Sequence, residues 1–153
     1  MSVRLSEDEA WAFLEKGHTG ILTSLRRDGR PISLPVWYVA LDQRIYVSGP
    51  ARTKKFARMK RDPRVAFLVE KGPKWRELAA VHVTGRARFV TDAAELARVQ
   101  AALDAKYAAF RTDRAKMPSS TAQHYQQQGS TTVCIEPEGK LLTWDNARLG
   151  IKD

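Results

Sequence analysis

Alternation and helical spacing divide the chain into short segments. Ser6-Glu7-Asp8-Glu9 sets a hydroxyl and a carboxylate three residues apart, the pattern of a capping box. It opens a helix with Ala10, Trp11, Phe13 and Leu14 mostly on one face, and Gly17 ends it. Residues 19–26 read as a strand and Asp28-Gly29 as a hairpin turn, because both turn residues tolerate positive φ. Residues 31–41 form a second expected strand and 44–48 a third, with Asp42-Gln43 as the turn between them. A basic helix follows over 53–60, stopped by Asp62-Pro63. Residues 64–70 hold Val65, Ala66, Phe67, Leu68 and Val69, apolar on both faces, as a central strand requires.

After the loop Lys71-Gly72-Pro73-Lys74, residues 78–90 alternate as one long strand, where Gly85 suits a bend or a close backbone approach. Asp92-Ala93-Ala94-Glu95 is another N-cap signature. Its helix runs to about Tyr107, with Leu96, Val99, Leu103 and Tyr107 at helical spacing. Residues 111–130 are polar, include Pro118 and a glutamine run, and form the expected mobile segment. Residues 131–136 and 140–144 make an expected final hairpin across Pro137-Glu138-Gly139.

Strands joined mostly by short hairpins, with three helices between them, predict a mainly β protein built as an antiparallel barrel or sheet. No repeat or linker divides the 153 residues, so a single domain over 1–153 is expected. No apolar run reaches the roughly 18 residues of a membrane span. Residues 1–10 carry acids rather than an apolar signal core. The single cysteine, Cys134, builds no disulfide framework. A cytoplasmic protein without a membrane partner is expected.

Charge sharpens the picture. Lys and Arg number 26 against 17 Asp and Glu, a formal net charge of +9. Such a balance admits nucleic acid, an anionic membrane or a polyanionic small molecule as partner, or only a solvated basic face. The excess is uneven: residues 52–64 hold Arg52, Lys54, Lys55, Arg58, Lys60, Arg61 and Arg64, opposed by Asp62 alone. A helix start that offers Thr53 among cations is a place to hold phosphate, because its first N–H groups lack partners and its dipole favours an anion.

Other chemistry is thin. His18, His82 and His124 fall in different elements with no metal-binding spacing, so no metal is expected. Cys134, between Val133 and Ile135, reads as a buried inert thiol. No nucleophile elbow is present, and no catalytic residue is assigned. No recognition motif accompanies the basic helix, so nucleic acid is not expected. Trp37, Tyr38, Tyr46 and Trp144 lie on strands, either as core or as a surface for a flat ring. A planar heterocycle carrying a phosphate would use both the strand surface and the helix start.

The chain resembles the pyridoxamine-phosphate-oxidase-like, FMN-binding split-barrel proteins. Within them it is most similar to the flavin/deazaflavin oxidoreductases of the B-type branch, which use coenzyme F420. The resemblance is carried by Gly17-His18-Thr19-Gly20-Ile21-Leu22-Thr23, Asp28-Gly29-Arg30-Pro31, Pro35-Val36-Trp37-Tyr38, Arg52-Thr53-Lys54-Lys55, Arg61-Asp62-Pro63-Arg64-Val65, Gly85-Arg86-Ala87 and Trp144-Asp145. It implies a six-stranded antiparallel split β-barrel with flanking helices, a homodimer, and a cofactor groove between subunits. It also implies that Thr53, Lys54 and Lys55, with Arg52 beside them, hold the phosphate. Ser33, Leu34, Pro35, Val36 and Trp37 would lie against the ring, and Trp144, with Arg148, would approach from the partner subunit. The implied activity is F420-dependent hydride transfer to a small electron-poor organic substrate. FMN in place of F420, or a carrier that binds cofactor without turnover, are the alternatives.

Overall fold

The computed structural model describes residues 2–152. In chain order the elements are α1 (Glu7–Lys16), β1 (Gly20–Leu25), β2 (Pro31–Val36), β3 (Val39–Leu41), β4 (Arg44–Pro50), α2 (Lys54–Arg61), β5 (Arg64–Lys71), β6 (Ala79–Phe89), α3 (Ala93–Tyr107), α4 (Ser119–Gln128), β7 (Ser130–Pro137) and β8 (Leu142–Asp145). Local chemistry sets the helix starts. The Ser6 hydroxyl accepts the Glu9 N–H at 3.2 Å, and the Glu9 carboxylate accepts the Ser6 N–H at 2.7 Å, closing the capping box. Asp92 caps α3 by accepting the Glu95 N–H at 2.8 Å.

Strand order is β2-β1-β5-β6-β7-β4-β3, with β8 added on β6, and the pairings are antiparallel. β2 and β3 stand at the two ends of this path, yet only Trp37 and Tyr38 separate them in the chain. The sheet must therefore curl until its ends meet, and the result is a split barrel. Counting β2 and β3 as one broken strand, six strands form the barrel. The interior holds Leu22, Ile45, Phe67, Val81, Val83 and Ile135, and α1 adds Trp11 and Leu14 to the same core. α2 contributes Phe56 and Met59. On the outside, α3 covers a second cluster of Val39, Tyr46, Val99, Leu103, Tyr107 and Cys134. Glu95 ties that helix to the sheet. It accepts the Tyr46 hydroxyl at 2.7 Å and both Arg88 N–H groups at 3.0 and 3.1 Å, and those bonds hold its carboxyl down to about 2.

Two expectations need correction. The stretch 31–41 is not one strand. Tyr38 is fully buried, its hydroxyl donates to the Leu14 carbonyl at 2.5 Å, and its backbone N–H leaves the ladder to donate to the Tyr107 hydroxyl at 2.9 Å. Those contacts break the stretch at Trp37. Within residues 111–130, expected as the mobile segment, α4 occupies Ser119–Gln128. The last two strands are not a hairpin with each other. Both pair with the same edge of the long β6, β7 along Gly85–Phe89 and β8 along Ala79–His82. Gly85 permits the crossing, because a Cβ there would sit 2.5 Å from the Glu136 carbonyl oxygen.

Candidate functional site

The seam between the sheet's two ends opens onto a groove of about 1240 Å³. Pro35, Val36 and Trp37 at the end of β2 line one side, Val47 to Pro50 of β4 the floor, and Lys55 of α2 one end. Leu103 and Tyr107 of α3 form another wall, and Phe110, Arg111 and Arg114 from the chain leading into α4, with Tyr125 of α4 itself, also line the groove. Among the described residues that line the groove, none is Asp, Glu, His or Cys.

Tyr107 organises the aromatic wall. Its hydroxyl accepts the Tyr38 N–H and donates to the His18 carbonyl at 2.6 Å. Its ring stacks on Trp37, with planes 3° apart and centroids separated by 4.5 Å. His18 meets the edge of Phe110 at 4.5 Å and of Tyr107 at 5.3 Å. Trp37 thus turns outward at 37% exposure while Tyr38 turns inward. Beside them the Lys106 ammonium donates to the Tyr38 carbonyl at 2.9 Å and lies 3.9 Å from the centre of the Tyr38 ring, and burial lowers its pKa to about 8.

The opposite chemistry lies at the start of α2. Phe56 and Ala57 donate to the Thr53 carbonyl, which leaves the N–H groups of Lys54 and Lys55 without an intrahelical acceptor. Thr53 is the N-cap, yet its side chain makes no cap bond, and its buried Oγ has no hydrogen-bond partner. Such an orphan costs about 1–3 kcal/mol unless something fills the position. Lys55 is half-buried over the Phe56 ring at 5.2 Å. Burial, then the nearby Arg58 cation, holds its pKa below the ordinary lysine value, and among the described residues no carboxylate pairs with it. An unfilled hydroxyl, free N–H groups and an uncompensated ammonium fit a phosphate.

Of the residues expected at the site, Pro35, Val36, Trp37 and Lys55 meet in the groove, with Thr53 at the helix start beside Lys55. Lys54 and Arg52 are exposed next to it. Ser33 and Leu34 lie further along β2, Ser33 bonded to Thr23 at 2.7 Å and Leu34 at 38% exposure. Trp144 stands on β8 opposite Ala80, away from this groove. Arg148 pairs with Glu9 at 2.7 Å and donates to the Arg4 carbonyl at 3.0 Å. Sequence reasoning did not single out Tyr107, Phe110, Arg111 and Arg114 for this site. Tyr107 carried only a helix-spacing signal, and the others sit in a stretch without a motif. Among the described residues no cluster of His, Cys, Asp and Glu could hold a metal ion, and no helix is long and apolar enough to cross a membrane.

Comparison with known proteins bears on this arrangement. The family model for pyridoxamine 5'-phosphate oxidase matches residues 6–139. The chain is similar to a conserved hypothetical protein of Mycobacterium tuberculosis, at 28% identity and a TM-score of 0.82, covering 99% of this chain and 92% of that one. It shares its fold with an FAD binding protein from Mycobacterium smegmatis (20% identity, TM-score 0.64, covering 93% and 98%). An F420 reductase has the same fold at 19% identity and a TM-score of 0.60, covering 84% and 92%. No curated protein matches the chain.

Proposed function

Since this chain belongs to the pyridoxamine 5'-phosphate oxidase family, we propose that its groove binds the deazaflavin coenzyme F420 and that the protein is an F420-dependent reductase of a small, electron-poor organic substrate. The observation that carries this reading is the start of α2, which offers the unpartnered Thr53 Oγ and, two residues on, the uncompensated Lys55 ammonium. The cofactor supplies the hydride chemistry when bound. The chain's own residues bind and orient. Lys55, the first N–H groups of α2 and the Thr53 hydroxyl hold phosphate, with Lys54 and Arg52 adding charge at the rim. The β2 segment Ser33, Leu34, Pro35, Val36 and Trp37 offers backbone and ring surface to a flat heterocycle.

A second copy of the chain completes the site in this reading. Register aligns Pro35, Ile21, Leu68, His82 and Leu142 across the outer face of β2, β1, β5, β6 and β8. This row is half-buried or exposed, with Leu142 at 61%, and Pro35 belongs both to it and to the groove. Trp144, outward on β8, is the side chain that a homodimer would present to its partner's ligand, with Arg148 as a second contact. FMN is the alternative ligand, because its one phosphate would satisfy the same hydroxyl and ammonium. A carrier without turnover is the second reading, favoured by the lack of any Asp, Glu, His or Cys among the described lining residues.

The test is a fluorescence titration of the purified protein with F420 and, separately, with FMN. Tight F420 and weak FMN binding supports the deazaflavin reading. The reverse order assigns FMN, and binding of neither removes the proposal.

A further inference from the structure

Besides Lys55, the groove is lined by exposed aromatic rings and by two further cations. Three exposed large aromatic side chains lie on it: Trp37 at 37%, Phe110 at 59% and Tyr125 at 45%. Large apolar rings seldom gather at one exposed place without a ligand or partner. Arg111 and Arg114 line the same groove, one and four residues after Phe110. Arg111 is neutralised by Asp104 at 2.6 Å, a carboxylate that Gln100 also bonds at 2.9 Å. Arg114 has no such partner among the described residues, and Asp104 does not line the groove. At about 1240 Å³ the groove exceeds the usual 300–1,000 Å³ of a pocket for one small ligand.

We infer that this aromatic part of the groove is the substrate subsite and that it selects flat, conjugated organic acids, the ring held against Trp37 and Phe110, with Tyr125 lining the same groove, and the carboxylate held by Arg114. A guanidinium matches a carboxylate by two parallel N–H bonds, which a neutral amide of equal shape cannot reproduce. Aromatic faces supply the shape selection, and they do so for acid and amide alike. The assignment rests on the cofactor reading for the chemistry, while its binding preference is measurable independently.

The probes are anthracene-2-carboxylate and anthracene-2-carboxamide, titrated by fluorescence against the protein alone and against protein saturated with F420. The expected result is at least tenfold tighter binding of the acid in both settings, with F420 still bound. In Arg114→Gln the acid falls to the affinity of the amide and F420 affinity is unchanged. In Phe110→Ala both probes weaken together. Equal affinity for acid and amide, a preference that survives Arg114→Gln, or displacement of F420 by the acid overturns the inference. If the acid preference holds while neither F420 nor FMN binds, the subsite stands and the cofactor reading falls.

Discussion

Trp37 and Tyr107 stack in parallel at 4.5 Å although 70 positions separate them, and the hydroxyl of the same tyrosine accepts the N–H of the residue after the tryptophan. One side chain therefore both breaks the strand and holds the exposed ring that results. Tyr107→Phe keeps the stack but leaves the Tyr38 N–H buried without an acceptor. A loss of about 1–3 kcal/mol in stability is expected, read by urea denaturation, with weaker F420 binding measured in the same variant. Unchanged stability would mean that the Tyr38 amide finds another partner.

Thr53→Val separates folding from binding. The hydroxyl has no partner in the free protein, so its removal is expected to leave the melting temperature unchanged or raised. Cofactor affinity falls in the same variant. Lys55→Ala is expected to weaken F420 about 10–100-fold, the loss of one charge-assisted bond of about 1.5–3 kcal/mol. Isothermal titration of both variants checks this pair.

Lys106 gives a pH signature. Its folded pKa of about 8 lies below the ordinary 10.5. Between those values the unfolded chain binds the extra proton and the folded chain does not, so this group makes stability rise with pH across that window. The burial cost is fully present below pH 8 and gone above 10.5. Denaturation midpoints of the protein and of Lys106→Met, compared from pH 7 to 10.5, are expected to converge as pH rises if the ammonium is the source.

Gly17→Ala tests the close packing of Tyr38. An added Cβ would lie 2.2 Å from the Tyr38 hydroxyl and 2.5 Å from a Val69 methyl, so the bond from Tyr38 to the Leu14 carbonyl must give way. A cost of about 1–3 kcal/mol is expected, measured by thermal melting.

The turn between β3 and β4 holds two non-glycine residues at positive φ, Asp42 at 50° and Gln43 at 56°. Gln43→Gly removes a left-handed penalty of about 1–2 kcal/mol at an entropic cost of roughly 0.5–1 kcal/mol. A net gain of about 0.5 kcal/mol is expected from chemical denaturation. Asp42 is held by Arg98 and is left in place.

What the sequence made legible was local. The Ser6 and Asp92 caps, the Gly29 and Asp42-Gln43 turns and the cation-rich start of α2 each depend on neighbours within four positions. The break at Trp37 depends on Tyr107 instead, and nothing near residue 37 announces it. The pairing of β8 was misread for a related reason. Pro137-Glu138-Gly139 is a sound turn, but β6 is long enough to take both following strands on one edge, and chain length alone does not reveal that. Lys55 stood out by its charge run. Phe110, Arg114 and Tyr125 come together only through the path of the chain after α3, and their segment carries no pattern.

The meeting of β2 and β3 across Trp37 and Tyr38 has a consequence for how such a protein can change. The ladder pairings involve Pro35, Val36 and the β4 floor but not Trp37, Tyr38 or the stretch from Phe110 to Tyr125, so this last part of the ligand's surroundings carries little of the sheet's cohesion. Replacements at Trp37, or in the stretch from Phe110 to Tyr125, can alter what is recognised without loosening a single strand pair. The seam is thus an evolvable hinge of specificity, on which one stable barrel can host many chemistries.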